Sequence, residues 1–307
     1  MSLAKPAVSG EASAMARGLP PPKLDEAPLA PGLYVVATPI GNLRDITLRA
    51  LDVLAGCDLV LAEDTRVAGK LLSAYGLSAK LDRYDEHGAG RTRPRALAAL
   101  AEGRCVALIS DAGTPLVSDP GYRLVREAAA AGHPVYPVPG ASALLAALST
   151  AGLPTDRFLF IGFPPPRSGA RRAVFEELAG VRATLVFYEG GSRLAASLAD
   201  MAAVFGDREA CVCRELTKLY ETVVRGPLAA LAADPQFAQP KGELVVLVGP
   251  GREAKASAAD ADAALDDALQ RLRPAEAAAE VARALGLPRR ELYRRAMELR
   301  AARKGKT

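Results

Sequence analysis

Short apolar runs alternate with helical patterns along the first half of the chain. The runs LYVVA, DLVLA, CVALI and PVYPV begin at Leu33, Asp58, Cys105 and Pro134, and each precedes a turn-rich loop and a helical stretch. Short runs that are almost wholly apolar are typical of strands covered on both faces. The repeated strand, loop and helix therefore predict an α/β domain with a mostly parallel sheet over residues 32–153.

The pattern changes after residue 154. Five further apolar runs follow, FLFIG, TLVFYEG, EACVCREL, LYETVVRG and GELVVLVG, with helical patterns near 170–178 and 192–205. Most connections between them are too short for repeated helical crossovers, which favours a mixed sheet. Residues 154–251 are thus predicted to form a second α/β domain.

The two ends of the chain differ from these domains. Residues 1–31 are rich in Ala, Pro and Gly without clear periodicity, which predicts a disordered extension. Residues 258–307 have helical patterns, and a Gly-Leu-Pro turn at Gly286 separates two of the helices. This segment is predicted to be a basic helical tail that resembles a helix-turn-helix.

Composition narrows the class of protein. Half of the 307 residues are hydrophobic, which is ample for a buried core. No run is long enough to span a membrane and no apolar secretory segment occurs, so we expect a cytoplasmic protein without a membrane partner. The four cysteines lie in apolar runs without CxxC spacing, so we interpret them as core thiols in a reducing compartment and predict no metal site.

Positive charge is concentrated in the tail. The whole chain carries +4, whereas residues 271–307 hold eleven Lys and Arg against four Glu, a net +7 that leaves −3 on the remainder. A cationic stripe of this kind suits the phosphate backbone of a nucleic acid. A solvated helix face is the alternative interpretation.

Candidate chemistry lies in the loops after the predicted strands, because ligands bind outside the carboxyl ends of such sheets. The first loop, TPIGNLRD, has one glycine and lacks GxGxxG, which disfavours a dinucleotide site. Gly41 still permits a close approach of the backbone to an adenosyl group. An ordinary tight turn is the alternative.

A loop of twelve residues, Ser110–Gly121, follows the CVALI run. Its small residues, two prolines and two aspartates indicate a rigid cradle, since loops of this length are usually functional or disordered. Asp111 is placed to accept hydrogen bonds from a ligand. The alternative is an aspartate that stabilises a turn or caps a helix.

Charged clusters end strands in both domains. Glu63-Asp64-Thr65-Arg66 supplies two carboxylates that can orient a substrate hydroxyl or, with a raised pKa, act as a general base. A helix cap with a surface ion pair is the alternative. The segments 214–218 and 241–243 carry further charges, and we expect all three clusters to face a shared cleft.

Taken together and in order, seven motifs resemble those of the ribosomal RNA small subunit methyltransferase I family, within the tetrapyrrole methylase superfamily. They are TPIGNLRDIT, LAEDTR, SDAGTPLVSDPG, PGASA, FYEGGSRL, RELTKLYET and KGELVVLV. The resemblance covers residues 33–249 closely and the helical tail more loosely.

The resemblance implies a two-domain α/β fold of the tetrapyrrole-methylase type that binds S-adenosylmethionine between its domains, usually as a homodimer. It implies 2'-O-methylation of a cytidine in the decoding region, with 16S ribosomal RNA or the small ribosomal subunit as the partner. The cofactor contacts it implies are Pro39, Ser110, Asp111, Ala112, Ser142, Ala143, Tyr188 and Leu216.

Two segments depart from the family's pattern. The family commonly has Ser-Pro-His where this chain has Gly190-Gly191-Ser192, and the segment 85–88 only partly keeps a pattern with His and Asn. Both segments are candidates for contact with RNA, so the departures concern the acceptor. The loops implied to bind the cofactor keep the family's motifs.

Our hypothesis for the reaction assigns Glu63 or Asp64 to orient or deprotonate the ribose hydroxyl, and Arg66 and Lys218 to hold RNA phosphate, without a metal. Alignment of hydroxyl, methyl and sulfur supplies much of the rate, since positioning contributes about 7–11 kcal/mol in favourable cases. Two alternatives remain: a tetrapyrrole or corrin methyltransferase on the same fold, and a non-enzymatic RNA-binding protein.

Overall fold

The computed structural model describes residues 24–25, 27–85, 88–251 and 258–304 of the chain. The chain divides into two compact units, with the boundary between Pro250 and Gly251. The first unit contains both of the predicted α/β halves. The predicted boundary between those halves, near residue 153, stays a prediction.

The first sheet has five strands, all parallel to their neighbours, in the order β3-β2-β4-β1-β5. The strands are β1 (Gly32–Val36), β2 (Leu59–Ala62), β3 (Leu81–Arg83), β4 (Cys105–Ile109) and β5 (Val135–Val138). The central strand β4 is buried at every position, as its uninterrupted apolar run requires. The predicted parallel sheet is confirmed.

Helices follow each strand of this sheet: α1 (Leu48–Gly56), α2 (Thr65–Ala74), α3 (Ala89–Ala101), α4 (Tyr122–Ala130) and α5 (Ala143–Ala151). Thr47 caps α1 by accepting a hydrogen bond from the Ala50 N–H. Neither β3 nor α3 was predicted. β3 has only three residues, and α3 contains Pro94, which lowers helix propensity.

The second sheet is mixed, as predicted, in the order β6-β7-β10-β8-β9. Its strands are β6 (Phe158–Gly162), β7 (Thr184–Gly190), β8 (Glu209–Arg214), β9 (Thr222–Pro227) and β10 (Glu243–Val248). Only the β6–β7 pair of this sheet is parallel within the described residues. The helices of this half are α6 (Ser168–Leu178), α7 (Gly191–Phe205) and α8 (Leu228–Ala233).

Apolar packing joins the two sheets. Ala147 and Leu148 of α5 share one buried cluster with Val186 of β7 and Leu247 of β10. Ile40, from the loop after β1, belongs to the same cluster. Burial of these side chains holds the carboxyl end of the first sheet beside the second sheet, where polar side chains from both can meet.

The second unit consists of α9 (Ala258–Arg271), α10 (Pro274–Leu285) and α11 (Arg289–Lys304). Gly286 ends α10 with a left-handed φ of 64°, a conformation that costs glycine little. The three helices share a small apolar core around Leu265, Val281 and Leu292. The predicted helix, Gly-Leu-Pro turn and helix are confirmed.

Part of the predicted N-terminal extension contacts the first sheet. The Tyr34 hydroxyl donates to the Ala30 carbonyl at 2.7 Å, and Leu29 packs against the sheet's core. Residues 1–23 and 26 lie outside the described residues. The four cysteines are buried and free, as predicted, and no described helix is both long and apolar enough to cross a bilayer.

Candidate active site

Backbone hydrogen bonds join the loops that follow β1 and β4. Thr38 and Gly113 form an antiparallel bridge in which each N–H donates to the other's carbonyl, at 2.9 and 3.0 Å. The Thr38 hydroxyl also donates to the Ser110 carbonyl at 3.1 Å. After β1 the chain crosses to β2 on one side of the sheet, and after β4 it crosses to β5 on the other side. Ligands of such sheets bind where the direction of the connections reverses, so we expect a ligand at the carboxyl ends of β1 and β4.

The loop after β5 is tied to the same pair of loops. The Thr114 hydroxyl donates to the Ala141 carbonyl at 3.2 Å. Gly113 has a φ of 84°, and a Cβ added there would lie 3.3 Å from the Ile40 side chain. The loops after β1, β4 and β5 therefore form one closely packed group.

Backbone strain is concentrated beside these loops. Among the described residues, the non-glycine residues with positive φ are Leu116 and Ser118 in the loop after β4, and Glu215 and Thr217 after β8. Such conformations cost about 1–3 kcal/mol each and persist where the surrounding structure holds them in place. Their restriction to two facing loops indicates that the shape of this region is constrained.

Two hollows lie beside the strained loops. The smaller, here called the inner pocket, has a volume of about 300 Å³, and its walls come from the loops after β4 and β5 and from the second sheet. This volume is at the lower end of the range for small-molecule sites. Six of the eight residues implied to contact the cofactor line the inner pocket: Asp111, Ala112, Ser142, Ala143, Tyr188 and Leu216.

The larger hollow, here called the outer cleft, has a volume of about 870 Å³ and lies between α2 and the loops after β1 and β4. Pro39 and Ser110, the other two implied cofactor contacts, line it. Asp111, Ala112 and Lys218 line both hollows. The inner pocket and the outer cleft are therefore adjacent.

Glu63 is the carboxylate of the EDTR segment that lines the inner pocket. Burial raises its pKa, and the nearby Asp119 and Asp111 carboxylates raise the pKa further. Asp119 lines the same pocket. Burial raises the pKa of Asp119, and a hydrogen bond from Ser110, which lowers the pKa, only partly offsets this effect. A carboxylate in a pocket with a raised pKa is suited to accept a proton near neutral pH.

Asp64, the adjacent carboxylate, has a different role. It caps α2 by accepting a hydrogen bond from the Arg66 N–H at 2.8 Å, and it forms an ion pair with the Arg66 guanidinium at 2.5 Å. These hydrogen bonds with Arg66 hold the pKa of Asp64 well below its usual range. Asp64 lines neither hollow, whereas the Arg66 side chain is 86% exposed on the outer cleft.

Lys218 lines both hollows, and its side chain lies against Gly41 in the loop after β1. Its ammonium group lies 3.0 Å from the Glu215 carboxylate and 3.3 Å from the Glu243 carboxylate. Burial alone would lower the pKa of Lys218, but the two carboxylates outweigh it and raise the pKa. Gly41 makes room for this side chain, because a Cβ at Gly41 would lie 2.4 Å from the Lys218 Cγ.

Glu189 is a pocket residue that the sequence patterns do not single out. It lies near the end of β7, is 2% exposed and lines the inner pocket. Its carboxylate pairs with Arg193 at 2.8 Å and accepts the Gly190 N–H at 2.9 Å. An acidic residue at the end of an apolar run, as at Glu63, was the available indication.

Of the two segments that depart from the family's pattern, the structure describes 190–192 fully and 85–88 only in part. Gly191 begins α7 so close to the chain before β10 that an added Cβ would lie 1.8 Å from the Pro240 carbonyl oxygen. Glu86 and His87 lie outside the described residues. Within the described residues, no group of three His, Cys, Asp or Glu side chains is arranged to hold a metal ion.

Two protein-family models match the chain. Residues 32–232 match the Tetrapyrrole (Corrin/Porphyrin) Methylases, and residues 255–300 match the RsmI C-terminal HTH domain. The first match includes the loops after β1, β4 and β5 and most of the second sheet. The second match includes nearly all of the three helices that follow residue 257.

Individual proteins give the same result. Ribosomal RNA small subunit methyltransferase I of Mesorhizobium japonicum is 52% identical over 89% of this chain and 94% of that protein. The Erythrobacter litoralis protein of the same name is 54% identical over 89% of this chain and 97% of that protein. The crystal structure of the methyltransferase CobJ superimposes with a TM-score of 0.54 at 22% identity, over 71% of this chain and 94% of that one, and supports the fold alone.

Proposed function

Because the chain belongs to the ribosomal RNA small subunit methyltransferase I family, within the tetrapyrrole methylases, we propose that it uses S-adenosylmethionine to methylate the 2'-hydroxyl of a cytidine in the decoding region of 16S ribosomal RNA. The observation that carries the proposal is the pair of adjacent hollows at the carboxyl ends of β1 and β4. We assign each hollow to a different part of a methyl transfer.

The inner pocket suits the methyl donor. Main-chain groups around Asp111 and Ser142 can bind the polar edges of an adenosine, while Leu216 and Val245 offer apolar surface to its base. Tyr188 is half-buried against Phe160, with ring centroids 4.9 Å apart, which fixes one wall of the pocket. Pro39 and Ser110 complete the proposed donor contacts from the side of the outer cleft.

The outer cleft suits the acceptor. Its rim carries the cations Arg66, Lys70 and Lys218, which can bind the phosphates on either side of a target nucleotide. The cleft has about 870 Å³ of space, and it meets the inner pocket at Asp111 and Ala112. A ribose in the cleft would thus face a donor in the pocket.

Glu63 is the proposed general base, and Asp64 is proposed to position Arg66. The bound donor supplies an electrophilic methyl group on a sulfonium. With the donor bound, its sulfur would keep the electron pair of the carbon–sulfur bond as the methyl group passes to the ribose 2'-oxygen, and Glu63 would accept the proton of that hydroxyl. The raised pKa of Glu63 makes it the stronger base of the two carboxylates.

Of the two alternatives, a corrin or tetrapyrrole methyltransferase is supported only by the fold, because this chain and CobJ share 22% sequence identity. The rRNA methyltransferases are 52% and 54% identical over most of the chain. A non-enzymatic RNA-binding protein has no need of the inner pocket. Binding of the donor, measured by calorimetry, would separate that alternative from both enzymes.

The decisive experiment incubates the protein with unmethylated small ribosomal subunits, or with naked 16S RNA, and labelled S-adenosylmethionine. We expect one 2'-O-methylated cytidine in the decoding region, located by nuclease digestion and mass spectrometry. Label on a base, or label only on added tetrapyrrole, would contradict the proposal.

A homodimer is also proposed, and sedimentation equilibrium would test it.

A further inference from the structure

The helix α11 carries cations that the methyl-transfer site does not use. Four of its arginines, Arg289, Arg290, Arg294 and Arg300, are exposed and form no ion pair with any described residue. By contrast, Arg295 of the same helix pairs with Asp262 at 2.7 Å and with Glu298 at 2.8 Å. The arginines of α11 whose side chains the structure describes are therefore of two kinds, paired and free.

The free arginines share one side of the helix. At 3.6 residues per turn, they lie with two exposed apolar side chains in an arc of about 140°, beside the stripe of the helix that buries Leu292 and Ala296. The apolar side chains are Tyr293, 44% exposed, and Met297, 46% exposed. Glu291 lies outside this arc. We call the arc, formed by Arg289, Arg290, Tyr293, Arg294, Met297 and Arg300, the α11 face.

The chemistry of the α11 face matches RNA. Free guanidinium groups bind phosphates, and an exposed aromatic ring stacks on an unpaired base. The second helix of a helix-turn-helix usually enters the wide major groove of DNA, whereas the major groove of duplex RNA is too deep and narrow for it. A face that combines arginines with a tyrosine therefore fits a junction between paired and single-stranded RNA.

We propose that the α11 face is a second RNA-binding surface, in which Arg290 and Arg294 bind rRNA phosphates and Tyr293 stacks on an unpaired base. The inference rests on the proposed function for its choice of RNA. It adds a site that provides affinity for the substrate and takes no part in methyl transfer.

The test compares two double variants of the full-length protein. Arg290→Ala/Arg294→Ala removes two free cations, and Arg271→Ala/Arg295→Ala removes two ion-paired cations of the same unit, with the same change in net charge. Binding to unmethylated small ribosomal subunits is measured across a range of salt concentrations. Circular dichroism and calorimetric titration with S-adenosylmethionine check folding and donor binding.

We expect the first variant to bind about 10-fold or more weakly, with the slope of log K against log salt reduced by about 1.4–1.8. The paired-arginine variant should keep most of its affinity and its slope. Equal losses in both variants, or no loss in either, would overturn the proposal. It would also fail if the wild-type protein bound a DNA duplex as tightly as the subunit.

Tyr293 provides an independent test of stacking. Tyr293→Ala should weaken binding about 10-fold, whereas Tyr293→Phe keeps the ring and should bind like wild type. Equal affinity of the Ala and Phe variants would remove the stacking part of the proposal. If the wild-type protein bound subunits through this face but did not methylate them, the proposed function would fail while the α11 face remained supported.

Discussion

The Asp111 carboxylate accepts a hydrogen bond from the backbone N–H of Asp64, at 3.0 Å. This contact joins the loop after β4 to the residue that caps α2, and so it sets the position of the neighbouring Glu63. Asp111 also lines both the inner pocket and the outer cleft. One side chain thus connects the proposed donor site with the proposed base.

Two substitutions at Asp111 distinguish the effect of this hydrogen bond from the effect of the Asp111 negative charge. Asparagine keeps an oxygen that can accept the Asp64 N–H, whereas alanine does not. We expect Asp111→Ala to lower kcat about 10-fold more than Asp111→Asn, since misplacement of a reacting group is costly. Methylation kinetics on small subunits measure this, and equal kcat values for the two variants would show that the hydrogen bond does not matter.

The adjacent carboxylates Glu63 and Asp64 should respond differently to loss of charge. Glu63→Gln removes the proposed base and should lower kcat about 100- to 10,000-fold with donor affinity retained. Asp64→Asn keeps a good helix cap and should change kcat little, with a higher KM for RNA because Arg66 loses its ion pair. Steady-state kinetics and calorimetric donor binding test both, and a Glu63→Gln enzyme with near wild-type kcat would exclude Glu63 as the base.

The pH dependence of kcat should reveal the raised pKa of Glu63. The base acts when ionised, so kcat should fall as the pH drops through a pKa above that of an ordinary glutamate. Asp119→Asn removes a neighbouring negative charge, which lowers the Glu63 pKa and moves the acidic limb to lower pH. Profiles at saturating substrates measure the shift. The exposed Asp207→Asn is the control, and a limb that moved equally in both variants would contradict the assignment.

Gly191 should tolerate no side chain, unlike its neighbour Gly190. A Cβ at Gly191 would lie 1.8 Å from the Pro240 carbonyl oxygen, whereas at Gly190 the nearest atom is the Arg193 Nε at 4.0 Å. Gly191→Ala should therefore lower the free energy of unfolding by about 1–3 kcal/mol, and Gly190→Ala by much less. Urea denaturation measures both, and equal stability of the two variants would refute the close approach of the chain before β10.

Much of the fold could be predicted because its determinants are local. The apolar run at Cys105–Ile109 is β4 at every residue, and the helix expected from Tyr122 begins there. β3 and α3 were missed because their local sequences are weak. β3 pairs with β2 along three residues, and α3 contacts β3 and β4, so these elements depend on neighbours distant in the chain.

The order of the motifs was sufficient to identify the family and the loops that carry its chemistry. Each motif is a continuous stretch of sequence, so it can be recognised without the tertiary structure. The sequence could not separate Glu63 from Asp64, because two adjacent carboxylates look alike until burial and partners differ. Folding turns Glu63 towards the inner pocket beside Asp119 and ties Asp64 to Arg66. Those opposite pKa shifts arise from desolvation and from charges brought together across space, and only the tertiary structure decides them.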